Sequence, residues 1–259
     1  MTHGGGTGGS GLDATIPPMK VRVLAFAGVR EILGSAEVVV ELSDGAGLAE
    51  LRSRLDALHP DLEPYWERLA RAVDGRLGEA DASLVDGCEV ALLPPVSGGA
   101  PGDRTRRKEA PTDEVLTERP IDTATVVRRV AAKGRGAVLV FEGRVRDRHE
   151  GREVTHLDYD AYRPLAEATL RRIAEELAAT EDGLAVALVH RLGHVPAGEP
   201  SVVIAVAAPH REAAYRASRE ALERLKREAP IWKNEHYTDG SSRWREEEPL
   251  APRTAVPAD

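Results

Sequence analysis

The sequence predicts an α+β protein built as two domains in tandem. Three observations carry this. Helices and strands are mixed in hairpin-like order, with period-2 and period-3.6 apolar patterns following one another. The 259 residues suit two domains of ordinary size. A stretch at 100–118, broken by Pro101, Gly102 and Pro111 and carrying the basic run Arg104-Thr105-Arg106-Arg107-Lys108, divides the chain as a linker.

Residues 1–18 are Gly- and Pro-rich and read as a disordered tail. Residues 20–26 alternate as a strand, with Val21, Val23 and Ala25 on one face and Arg22 and Leu24 on the other. Gly28 and Gly34 bracket a turn, and Val38-Val39-Val40 lies in a second strand that closes a hairpin. Leu48, Leu51, Leu55 and Leu58 have helical spacing, and His59-Pro60 ends that helix. Strands follow at 70–73 and 89–93, with Asp74-Gly75 and Asp86-Gly87 as turns. The order β-β-α-β-β over residues 19–99 is that of a β-grasp, ubiquitin-like domain.

That domain ends in Pro94-Pro95-Val96-Ser97-Gly98-Gly99. A Gly-Gly end has no side chains, so it can thread a narrow channel and present a terminal carboxylate. Here Gly99 is bonded to Ala100, so that use requires release. The basic run beyond it reads as a solvated linker or as a protease-accessible segment.

The second domain, 119–250, opens with Asp122 or Thr123 as a helix cap and Val126, Val127 and Val130 on the apolar face, with Gly134 and Gly136 ending the helix. Residues 136–146 form a strand, and residues 157–162 are expected to be its partner. Pro164 sits near the start of a helix running to about Thr180. Strands at 184–191 and 201–208 precede a last helix from His210 to about Glu228, stopped by Pro230. Residues 251–259 read as a tail.

Composition excludes several classes. The net charge of −8 argues against wholesale nucleic-acid binding. No apolar run reaches the roughly 20 residues of a membrane span, and the N-terminus lacks the layout of a signal peptide. Cys88 is the only cysteine, so no internal disulfide forms and a cytoplasmic location is the default. No His/Cys cluster stands at ligand spacing, so no metal or other cofactor is expected.

Several residues suggest chemistry. Arg144 and Arg146, two apart on a strand, share a face and fit either an anion or a salt-bridge network. His210 and Arg211 open a helix after Pro209, at an anion-binding end or as a surface capping pair. His190-Arg191 is similar in type, but its place at the end of a strand favours a structural role. Lys226 lies 16 residues beyond His210, or roughly 24 Å along one helix. A small substrate cannot touch both, so a shared pocket predicts a homodimer. Pro230 lets the chain turn and bring Lys233 back toward Lys226; adjacent lysines lower each other's pKa and suit acid–base or amine chemistry, while two exposed lysines would only stabilise a helix end.

A resemblance sharpens this. "VRVLAFAGVREILG" and "AVDGRLGEADASLVDGCEVALLPPVSGG" are similar to the small, sulfur-carrier subunit of molybdopterin synthase. "FEGRVRDRH", "VHRLGHVPAGEPSVVIAVAAPHREAAYRA" and "LKREAPIWKNE" resemble the large, catalytic subunit of the same enzyme. The resemblance implies an α/β hammerhead-type second domain, a dimer of large domains, and an adenylating, sulfurating enzyme acting on the Gly-Gly tail. It implies a sulfurtransferase that inserts two sulfurs from a Gly99 thiocarboxylate into cyclic pyranopterin monophosphate, giving the molybdopterin dithiolene. Lys226 and Lys233 would then be catalytic. Arg144, Arg146, His210, Arg211, Asn234 and Glu235 would bind substrate; Asn234 stands where the family pattern has a basic residue. Glu246-Glu247-Glu248 replaces an expected arginine, so no site is assigned there. The alternative is a non-catalytic ubiquitin-like carrier or modifier fused to a binding module.

Overall fold

The computed structural model describes residues 18–78, 82–95 and 114–245. The Gly98-Gly99 end, residues 100–113 of the linker and both chain termini lie outside them.

In the first domain β1 (Met19–Ala25) leads into helix α1 (Ala27–Leu33), then β2 (Glu37–Leu42) and α2 (Leu48–Leu58). A 3₁₀ helix, Pro60–Arg68, precedes β3 (Ala70–Val73), β4 (Arg76–Leu77) and β5 (Glu89–Leu93). The sheet order is β2-β1-β5-β3-β4, with β1 and β5 parallel and the other pairs antiparallel. This is the expected β-grasp. The expected turn at 28–34 is instead α1. Val29 and Leu33, four residues apart, are buried on one helix face, and Gly34 stops the helix at φ +68°.

The sheet is buried on both faces, which explains the unbroken apolar run of β5. Val90 and Leu92 join the core under α2 with Leu51, Leu55 and Trp66. Ala91 and Leu93 point the other way, into a cluster with Phe26, Tyr162 and Trp232.

The second domain begins with β6 (Leu116–Thr117), α3 (Thr123–Val130), β7 (Ala137–Arg144), β8 (Arg148–His149) and β9 (Arg152–Ala161). It continues with α4 (Arg163–Ala178), β10 (Ala185–Arg191), β11 (Gly193–Pro196), β12 (Pro200–Ala208), α5 (Arg211–Glu228), β13 (Ile231–Tyr237) and β14 (Ser242–Arg245). One sheet has the order β6-β10-β12-β7; another has β11-β9-β13-β14, with β8 hydrogen-bonded to β9. Helices α4 and α5 pack on the first of these through Leu170, Ile173, Ala221 and Leu225, and α3 covers its other face with Val126 and Val130.

Three expectations change. The linker does not run to 118: Leu116–Thr117 pairs in parallel with His190–Arg191, and buried Val115 and Leu116 hold it there. The partner of β7 is β12, and β9 instead lies between β11 and β13. The strand also stops at Arg144. Val145 is buried and exchanges backbone hydrogen bonds with Glu199 and Gly198, so Arg146 leaves the ladder and does not share a strand face with Arg144.

Candidate active site

The seam between the domains is the first component. Phe26 stacks on Trp232 at 5.1 Å and 24° and tilts against Tyr162 at 5.7 Å. Small Ala72 and Ala91 let these rings reach the sheet. Arg30 Nη2 donates to Asp160 across the seam, and the Tyr162 hydroxyl donates to Glu89 at 2.8 Å. Burial raises the Asp160 carboxyl, against the opposing pull of Arg30. Trp232 Nε1 donates to the Pro94 carbonyl at 3.3 Å. The strand that leads to Gly98-Gly99 therefore meets β13 one residue from Lys233.

The second component lies on the opposite face of β13. Lys233 is half-buried and pairs in register with Tyr159, which pairs in turn with Gly193. The His190 ring meets Tyr159 edge-on at 4.9 Å. The Tyr159 hydroxyl donates to Ser201 Oγ at 3.1 Å, and Ser201 Oγ donates to the Gly143 carbonyl at 3.2 Å. A side chain at Gly143 is excluded, since its Cβ would stand 2.6 Å from Val202 Cγ1.

His190 is buried, and its Nδ1–H donates to the Arg191 carbonyl at 2.8 Å, leaving Nε2 as an acceptor. Burial pushes its pKa down to about 4, the Arg191 carbonyl opposes this, and the charge of Lys233 adds to the depression. The ring is thus neutral and keeps an acceptor nitrogen at Nε2. Sequence reading placed His190 in a structural role and did not single out Tyr159 or Ser201. They come from three strands far apart in the chain, and no local spacing marks them.

The other expected residues are dispersed. Arg144 is exposed and held by Glu142 at 2.7 Å and the Gly198 carbonyl at 2.9 Å. Arg146 is exposed beyond the strand. His210 is the N-cap of α5 and makes no side-chain cap bond; Arg211 begins the helix, and both are exposed. Lys226 is exposed in the last turn of the same helix. One straight helix therefore holds His210 and Lys226 roughly 24 Å apart, and within one chain the two do not meet.

Glu235 is buried and central to a network rather than open to a ligand. It accepts from Tyr237 Oη at 2.8 Å and Arg245 Nε at 2.8 Å, with His149 Nδ1 at 2.9 Å. Burial would raise its pKa, but these bonds outweigh it and hold the carboxylate ionised. Arg245 also bonds Glu150 at 3.0 Å. Asn234 Oδ1 is buried without a hydrogen-bond partner, on the same face as Trp232.

The sheet also gathers groups that chain spacing hides. His156, Asp158 and His236 offer ligand atoms within 4.8 Å of one another. Among the described residues, no helix is long and apolar enough to cross a membrane.

Comparison with known proteins agrees with this architecture. Residues 116–228 match the family described as MoaE protein, and residues 23–99 match the ThiS family. The molybdopterin synthase catalytic subunit of Aspergillus niger is 46% identical over 134 residues, 52% of this chain and 74% of that protein. That of Bacillus subtilis is 41% identical over 125 residues, covering 48% and 80%. The crystal structure of molybdopterin synthase from Staphylococcus aureus superposes with a TM-score of 0.50 at 37% identity, covering 52% of this chain and 97% of that one.

Proposed function

The chain belongs to the molybdopterin synthase catalytic-subunit family and carries a ThiS-type sulfur-carrier domain ahead of it, and we propose that it is a single-chain precursor of the complete synthase. Its carrier domain, once freed after Gly99 and thiolated by an adenylating, sulfurating enzyme, delivers sulfur to cyclic pyranopterin monophosphate. Two such transfers build the dithiolene of molybdopterin. Each consumes one thiocarboxylate: its sulfur replaces an oxygen on the substrate carbon, which leaves as water, and a water hydrolyses the acyl group so that Gly99 returns as a carboxylate.

The bond from Trp232 to the Pro94 carbonyl carries this reading. It sets the start of the tail on the strand that holds Lys233. The five residues beyond Pro94 extend at most about 18 Å, a reach long enough to pass around β13 from the seam to the Lys233 face. The orphan Asn234 Oδ1 is available to accept from an N–H of that tail. Lys233 is the proton donor or electrostatic partner for the departing groups, with His190 as the neutral acceptor behind it. Docking in cis needs no second chain.

The phosphate end does. Arg211 and His210 are proposed to reach the site of a neighbouring copy, with Arg144 and Arg146 completing an anion cradle. The edge strand β7 supports such a dimer. Val138 and Val140 are exposed on it, and beside it lies a groove of about 700 Å³ lined by Phe141, Tyr215 and Leu222. An unpaired edge with exposed apolar side chains is the usual place for a second copy.

Intact mass spectrometry of the chain from its native host, paired with a dithiolene assay, tests the release step. The expected result is activity only in material cut between Gly99 and Ala100. Activity in a preparation holding only full-length chain overturns it.

A further inference from the structure

The sheet β11-β9-β13 carries a side-chain cluster that neither carrier docking nor the Lys233 crevice uses. His194 of β11 pairs in register with Asp158 of β9, and His236 of β13 pairs with His156 of β9. Directly paired residues and residues two apart on a strand share a face, so three imidazoles and one carboxylate stand together. The His156 ring stacks on His236 at 4.2 Å and 12° and lies 4.2 Å from His194. Asp158 is at the centre: its oxygens are 2.9 Å from His236 Nε2, 3.7 Å from His156 Nε2 and 3.7 Å from His194 Nδ1.

Two details distinguish this from a hydrogen-bonded surface cluster. First, His236 Nε2 is buried and has no hydrogen-bond partner, although the Asp158 oxygen is only 2.9 Å away. The contact is close but lacks hydrogen-bond alignment, as when two donor atoms face a common third point rather than each other. Second, the His156 tautomer is determined by its neighbour. The Thr155 hydroxyl donates to the His236 carbonyl at 3.1 Å and has no further proton to give. Its 2.9 Å contact with His156 Nδ1 must therefore be an Nδ1–H donating to Thr155. That leaves the His156 Nε2 lone pair directed at the cluster, the outer-sphere arrangement that orients metal-bound histidines.

We propose that His156, Asp158 and His236, with His194 at the rim, form a binding site for a divalent transition cation of borderline softness, zinc being the representative. Two imidazole nitrogens and a carboxylate oxygen, with a further position left for water, are a donor set for Zn²⁺, Co²⁺ or Ni²⁺ rather than for hard cations held by oxygen alone. The lack of a thiolate sets it apart from copper(I) sites. Trp232 lies on the same face of β13, four residues from His236 and so roughly 13 Å away. A bound ion would tie β9 and β13 together and hold the strand that carries both Trp232 and Lys233. It would act as a clamp on the sheet and take no part in sulfur transfer.

The test is titration of the untagged, metal-stripped full chain with Co²⁺, followed by competition with Zn²⁺. The expected result is one equivalent of Co²⁺ with visible d–d absorption, displaced by one equivalent of Zn²⁺, and a higher thermal midpoint with zinc. The double variant H156Q/H236Q should lose the absorption. T155V, which leaves every ligand in place, should weaken binding about 10-fold or more by releasing the His156 tautomer. H59Q, in the first domain, should behave as the parent. The absence of a stoichiometric Co²⁺ spectrum in the folded parent chain overturns the proposal, and so does an undiminished spectrum in the folded double variant. Neither readout depends on synthase activity.

Discussion

At the seam Phe26, Tyr162 and Trp232 are buried together within one chain, whereas His210 and Lys226 stand exposed at opposite ends of a single helix. The seam is apolar, aromatic and crossed by the side-chain bonds Arg30 to Asp160, Tyr162 to Glu89 and Trp232 to the Pro94 carbonyl. The basic residues are solvated and spread along α5 and the end of β7. Fusion explains the difference. Before release, a carrier tethered to its catalytic domain has a high effective concentration there, and the aromatic seam can hold it in cis after the cut. The anion site proposed for His210, Arg211, Arg144 and Arg146 would gain nothing from the tether and would need the apposition of two copies.

The largest effect is expected where the two components meet. Lys233→Ala should lower turnover about 100-fold or more with the fold intact. A loss confined to KM would move Lys233 from chemistry to binding. Trp232→Ala strikes the seam alone. Removing this buried ring, with its stack on Phe26 and its bond to Pro94, should cost about 3–5 kcal/mol. Limited proteolysis should then release the carrier domain from an otherwise folded catalytic domain. Unchanged protease resistance would show that the seam is not what holds the domains.

The pH response sharpens the second component. His190 is neutral in the fold with its pKa near 4, against about 6.5 when free. A lowered folded pKa means that its share of stability is complete above about pH 6.5 and is lost as the pH falls through 4. The full difference is about 3 kcal/mol. His190→Asn should flatten that acid limb of thermal stability between pH 6.5 and 4. The smallest effect belongs to Arg30→Ala, which removes a half-exposed ion pair and should cost about 1 kcal/mol. Its thermal midpoint should shift slightly, and domain association should persist.

Much of the fold was legible because its elements bury one face. The Leu48, Leu51, Leu55 spacing of α2, the alternation of β1 and the span of α5 all follow from periodicity. The misreadings share a cause. The helix α1 has Gly28 inside it and is held by tertiary burial of Val29 and Leu33. The 3₁₀ helix at Pro60–Arg68 includes Pro64, a residue that breaks an α-helical pattern. Strand β9 pairs with β13 across some 70 residues of chain, and such a pairing leaves no local mark. The candidate site followed the same rule. The motif around Lys233 nominates it from sequence, while His190, Tyr159 and Ser201 come together near it only in the folded sheets. Glu235 shows the converse: a motif residue whose burial among Tyr237, Arg245 and His149 makes it a support for the sheet.

The contrast between a cis seam and a shared anion site is tested most directly by mixing two inactive chains. Lys233→Ala and His210→Ala homodimers, unfolded and refolded together in equal amounts, form half mixed dimers, each with one site intact in both respects. Recovery of about a quarter of the parent activity is the expected result for a site built from two copies. Activity no higher than that of the two separate variants would contradict it and place His210 and Lys233 in the same chain's site.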